Sequence, residues 1–83
     1  MELSEMKNIG SEIKKKLLGI GIKSAEDLEK VGSREAFRYM KAAYPNVCLV
    51  HLYTLQAAID DVDFNQLPED TKAELKAFSD GLK

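Results

Sequence analysis

Apolar residues in this chain recur three and four positions apart in nearly every segment, and glycine, proline or clustered acid interrupts the pattern again and again. Strands need a period of two, so a chain patterned this way packs as short helices. Ser11 to Leu18 places Ile13 and Leu17 on one face, with Lys14, Lys15 and Lys16 largely on the others, and Gly19 and Gly21 stop the helix. Ser24 followed by Asp27 has capping-box spacing, although Asp is a poorer reach-back partner than Glu or Gln. It opens a short helix whose inner face is Ala25, Leu28 and Val31. Gly32 suits a left-handed C-terminal cap, and Ser33 then serves as the next N-cap.

The third helix, about 34–43, buries Phe37 and Met40 with Tyr44 at its end, and Tyr44-Pro45-Asn46 breaks it because the residue before proline disfavours helix. The most apolar segment is the fourth helix, about 47–60. Its stripe of Cys48, Leu52, Leu55 and Ile59, widened by Leu49, Tyr53 and Ala58, makes it the expected centre of a bundle. Asp60-Asp61-Val62-Asp63 ends it with charges unfavourable to the helix C-terminus, so the chain should turn quickly there. Asp63 can cap one turn containing Phe64 and Leu67, and Pro68 suits the first position of a last helix. That helix carries Thr71, Leu75, Phe78 and Leu82 as an amphipathic lid. The expectation is an all-α, compact single domain over residues 1–83, built of about five short helices.

At 83 residues the chain has room for one core. It has no covalent or metal staple: Cys48 has no second cysteine to pair with, and one Cys with one His (His51) cannot fill a structural zinc site. The longest apolar run, Val47 to Val50, is far too short for a membrane span, and Glu2 and Glu5 stand where a secretory signal carries basic charge. A cytoplasmic protein with no membrane contact is expected. Net charge is −2, with nine Lys/Arg against seven Asp/Glu in residues 1–41 and three against seven in residues 42–83. An anionic partner should therefore meet the N-terminal half.

Catalytic chemistry has little to work with. Cys48 and His51 lie three apart on one helix, within reach of a thiolate–imidazole pair. Cys48 continues the Leu52/Leu55 stripe, however, and reads more simply as a small core residue. Asp60, Asp61 and Asp63 lack the glycine and distal glutamate of a calcium loop and read as solvated turn charges. No phosphate-binding Walker loop or nucleophile elbow is present. No enzyme, cofactor, metal or small-molecule substrate is expected.

The stretch from Leu17 to Leu28, with Gly19-Ile20-Gly21-Ile22-Lys23-Ser24 at its middle, resembles a helix-hairpin-helix motif. Glycines there let the backbone approach a ligand, and the first N–H groups of the following helix are suited to an anion. In this reading Ile20 plugs the hairpin into the core, Gly19, Gly21, Lys23 and Ser24 meet a phosphate, and Lys14, Lys15 and Lys16 add diffuse attraction, with Lys7 nearby. Such contacts position DNA without reading its bases. The same residues also make an ordinary tight connection, and Glu26, Asp27 and Glu29 place negative charge where a phosphate would sit. A second basic stripe, Arg34, Arg38 and Lys41 at i, i+4 and i+7, either extends the surface or is a solvated face partly offset by Glu35.

A longer pattern includes the hairpin: Asn8-Ile9-Gly10, Leu17, Gly21-Ile22, Leu28, Gly32, Ala36-Phe37, Leu52-Tyr53, Leu55, Ala58-Ile59, Asp63-Phe64, Leu67-Pro68 and Leu75. It resembles the C-terminal domain of the TfoX/Sxy family, regulators of natural competence for DNA uptake, from about residue 4 to residue 80. The resemblance implies a helical module related to helix-hairpin-helix folds, a SAM-like bundle, often preceded by an α/β domain in transcriptional co-activators. Phe64 stands where tryptophan is expected and Ser11 where proline is common. No α/β domain precedes the module in these 83 residues, and the family offers no catalytic residues to transfer. Two functions stay open. One is a DNA-associated regulatory module making weak, sequence-independent phosphate contacts. The other is a protein-interaction module, suggested by acidity, size and exposure of Tyr39, Tyr44 and Tyr53, whose partner is itself or a separate TfoX N-terminal-like domain.

Overall fold

The interruptions in the apolar pattern fall at helix ends. A computed structural model describes residues 1–82; among them a 3₁₀ turn at Leu3–Glu5 precedes α1 (Ser11–Gly19), α2 (Ala25–Val31), α3 (Ser33–Ala43) and α4 (Leu49–Asp60). A second 3₁₀ turn, Phe64–Gln66, then leads into α5 (Glu69–Gly81), and no described residue is in a strand. The all-α expectation holds, and α4 is the hub, packing against α2, α3, α5 and the second 3₁₀ turn. Phe37, Leu17, Leu28, Met40, Leu52, Leu55 and Leu75 are fully buried around it.

Local chemistry sets each boundary. The Ser24 hydroxyl accepts the Asp27 N–H (3.1 Å), as the spacing predicts, while the Asp27 carboxylate takes the Lys23 N–H (3.2 Å), one residue beyond the cap. Gly32 joins α2 to α3 alone. Its φ of 88° is positive as expected, but its ψ of 157° makes it extended rather than left-handed helical. Ser33 does not cap α3. Its side chain is buried and its hydroxyl donates to the Gln56 amide oxygen of α4 (2.5 Å), which welds α3 to the hub.

The fourth helix begins later than its apolar pattern suggests. Val47 donates its N–H to the Tyr44 carbonyl (3.1 Å) and stays in the turn as a buried plug. Cys48, expected in the core stripe, is instead the extended N-cap and is exposed. Helical periodicity cannot place a residue whose backbone has left the helix. Pro68 is likewise the N-cap of α5 rather than its first residue. Asp61 ends α4 with φ 56°, and the Asp61 and Val62 N–H groups bond back to Ala58 and Ala57 (3.2 and 3.0 Å), the quick turn its acids suggested.

The N-terminal segment is tied down at two points. Asn8, at φ 70°, donates its side-chain amide to the Val62 carbonyl (2.8 Å) and accepts the Phe64 N–H (3.1 Å), bridging the start of the chain to the α4–α5 link. The Met1 ammonium meets both carboxylate oxygens of Glu26 at 3.0 Å, and the Met1 carbonyl accepts the Ala25 N–H (3.0 Å). That pairing raises the ammonium above its ordinary value and lowers the Glu26 carboxyl below its own.

Candidate functional site

The α1–α2 connection closes on itself. Ile22 donates its N–H to the Leu17 carbonyl (2.9 Å) and Gly21 to Leu18 (3.1 Å), the paired 6→1 and 5→2 bonds of a Schellman cap, with Gly21 at φ 89°. Ile22 and Leu17 are both buried, completing the cap with its usual apolar contact, so Ile22 is the main plug. Ile20, expected in that role, is only partly buried against the core.

Most of the donors expected to meet a phosphate have acceptors inside the chain. Ile20, Gly21 and Ile22 bond to α1 carbonyls, Lys23 to the Asp27 carboxylate, Ala25 to Met1 and Asp27 to the Ser24 hydroxyl. Gly19 does make a close approach, but to the chain's own Tyr44: a Cβ there would collide with the Tyr44 hydroxyl. Helix capping thus uses amides that a main-chain phosphate cradle would draw on.

Basic side chains around the hairpin point in several directions. Lys14, Lys15 and Lys16 follow one another on α1 and so fan over successive faces about 100° apart. Lys15 and Lys23 are exposed, while Lys14 is half-buried. Lys16 is half-buried as well, 3.8 Å from the Glu12 carboxylate and 5.9 Å from the Tyr44 ring centroid. On α3, Arg34 pairs with Glu74 (3.7 Å). Arg38 pairs with Glu35 (2.6 Å) and stacks over Tyr39 (5.1 Å), while Lys41 lies over Phe37 (6.0 Å). The Glu35 hydrogen bond raises the Arg38 guanidinium further above its already high ordinary value.

Cys48 and His51 are neighbours, as their spacing predicts, with Sγ 3.6 Å from Nδ1. The imidazole has a structural task there: Nδ1 accepts the Cys48 N–H (3.2 Å), satisfying an amide at the start of α4. Burial, then repulsion from Lys16, lowers the His51 pKa below its ordinary value. No group of three or more His, Cys, Asp or Glu among the described residues is placed to hold a metal.

Of the three tyrosines expected outside, only Tyr39 stands clear, at 48% exposure. Tyr44 and Tyr53 pack on the core, and the Tyr53 hydroxyl donates to the Lys72 carbonyl (3.4 Å). Sequence reasoning gave no role to Asn8 or to the cleft beside Ala42 and Leu82. An asparagine just before Ile9-Gly10 was the available sign of a positive-φ turn, whereas the cleft depends on which helices meet.

Residues 1–79 match the TfoX C-terminal domain. The chain belongs to that family. The TfoX C-terminal domain is of a regulatory type, so this chain is a regulatory-type module. Its fold is similar to that of an uncharacterized protein from Listeria monocytogenes in a triclinic crystal form, at TM-score 0.95 and 38% identity, covering 99% of this chain and 93% of that one. A Listeria monocytogenes protein of unknown function in a tetragonal form is equally similar, at TM-score 0.94 and 38% identity, covering 98% of this chain and 100% of that one. No curated protein matches the chain. No helix among the described residues of this TfoX C-terminal domain is long and apolar enough to cross a membrane.

Proposed function

We propose that this TfoX C-terminal domain is a non-enzymatic regulatory module that acts through contact with another protein, rather than by gripping phosphates with its hairpin backbone. The observation that carries the reading is the Schellman cap of α1. It engages the Gly21 and Ile22 amides inside the chain, and Asp27 engages that of Lys23. What remains for DNA at Gly19, Gly21, Lys23 and Ser24 is one exposed lysine beside the acidic first turn of α2, against the six or more cationic contacts typical of firm non-specific binding. Exposed Tyr39, with Arg38 stacked on it, has the composition favoured at protein contacts. A competence role would then be exercised through a bound partner, such as an α/β domain of the kind that precedes this module in the family.

Two measurements test this. Titration of a labelled duplex at low and at physiological salt should show binding that vanishes at the higher salt and is indifferent to Lys23→Glu. A benzophenone crosslinker placed at Tyr39, or separately at Lys23, in host cells should give nuclease-resistant protein adducts from Tyr39. Nuclease-sensitive adducts from Lys23, or firm duplex binding abolished by Lys23→Glu, would overturn the reading in favour of DNA.

A further inference from the structure

Helices α3 and α5 both pack on α4. Arg34 reaches from α3 to Glu74 on α5 (3.7 Å), and Ala42 near the end of α3 and Leu82, the C-cap of α5, line one cleft. The cleft has a volume of about 260 Å³ and is lined by Arg38, Lys41, Ala42 and Leu82. That is below the usual size of a small-molecule site and suits a single anchoring side chain. Ala42 and Leu82 supply its apolar lining, Arg38 and Lys41 its cationic rim, and Arg34 stands one turn before Arg38 on α3.

The rim already displays its preference. Arg38 holds the Glu35 carboxylate and Arg34 the Glu74 carboxylate, in pairs whose side chains are about half or more exposed. Such pairs are weak in water and exchange readily for another carboxylate. Lys41 has no carboxylate within ion-pair distance among the described residues, leaving three cations against two acids. A polyphosphate would meet Glu35 and Glu74 interleaved with the cations and would gain nothing from an apolar floor. A helix bearing single carboxylates one turn apart would replace those two acids one for one and bring an apolar residue with it.

We propose that this cleft docks an acidic amphipathic helix of a partner protein, its carboxylates on Arg34, Arg38 and Lys41 and one large apolar side chain against Ala42 and Leu82. The proposal rests on the protein-contact reading above and adds the surface and the partner's chemistry.

The test is fluorescence anisotropy on the intact chain. The probe is a labelled helical peptide of about 16 residues, long enough to hold a helix, with Glu at i, i+4 and i+7 around a Leu or Phe. The designed peptide should bind about tenfold or more tighter than its scrambled composition. Arg38→Glu with Lys41→Glu should weaken it by about tenfold or more, and Ala42→Trp, which fills the cleft, should weaken it without lowering the melting temperature. Equal binding of designed and scrambled peptides, or indifference to the charge reversal, overturns the proposal. So does a duplex whose binding is what the reversal abolishes, or a homodimer in sedimentation that the reversal dissolves, since a nucleic acid or a second copy would then be the occupant. Failure of the peptide while the crosslinker at Tyr39 still yields nuclease-resistant protein adducts removes the cleft and leaves the protein-contact reading standing; nuclease-sensitive adducts at Lys23 remove both.

Discussion

Asn8 uses both ends of its side-chain amide in hydrogen bonds to the α4–α5 link. Its amide donates to the Val62 carbonyl and accepts from the Phe64 N–H, while its backbone sits at φ 70°, a region asparagine tolerates better than most side chains. Asn8→Ala leaves both main-chain groups seeking partners and strains the backbone, so a loss of about 1–3 kcal/mol is expected in denaturant unfolding. Asn8→Asp should recover the acceptor half only. Gly32 poses a purely conformational demand, because a Cβ there would touch nothing within 4 Å, yet φ 88° with ψ 157° is a region essentially closed to other residues. Gly32→Ala should cost about 1–3 kcal/mol, read as a lower denaturant midpoint with an unchanged slope.

At the scale of elements, the start of α4 couples stability to pH. His51 must keep Nδ1 unprotonated to accept the Cys48 N–H, and burial with Lys16 nearby disfavours the imidazolium. The unfolded chain therefore binds the proton more readily than the folded one. Stability from this group is complete above the ordinary histidine value of 6.5 and is lost as pH falls below it towards the depressed folded value. Melting temperature should drop between about pH 7.5 and 5.5, and His51→Gln should make that drop shallower. Helix α1 shows the opposite kind of ending. Its Schellman cap titrates nothing, and its dependence on Gly21 is steric, so hydrogen exchange at Ile22 should be slow and insensitive to pH once the intrinsic rate is removed.

Taken whole, the molecule is as compact as a folded chain of its length should be. Its Cα radius of gyration is 11.5 Å, against about 11.8 Å expected for a folded chain of this size. A core this small has little redundancy: Phe37→Ala, at a fully buried position, should cost about 3–5 kcal/mol and leave much of the population unfolded at 37 °C, whereas Val50→Ala at an exposed site should change stability by less than about 0.5 kcal/mol. Circular dichroism melts of the two variants side by side check the contrast. The five helices, their interruptions and the buried row of Leu17, Leu28, Phe37, Met40, Leu52, Leu55 and Leu75 were legible in the sequence, since periodicity and breaker residues are local properties. So was the capping of α2 by Ser24, a contact between residues three apart. Helix ends were less so. Val47, Cys48 and Ser33 each took a role set by a neighbour: a turn carbonyl, an imidazole, an amide on another helix. Whether the hairpin amides face an anion or their own chain could not be read from Gly19-Ile20-Gly21, because both outcomes use the same residues. The tertiary structure buries Ile22 against Leu17, lays Tyr44 over Gly19 and turns Asp27 onto Lys23, contacts that no local pattern announces. It also made the α3–α5 cleft, which exists only because residues about forty positions apart lie side by side, a distance over which helical periodicity carries no information.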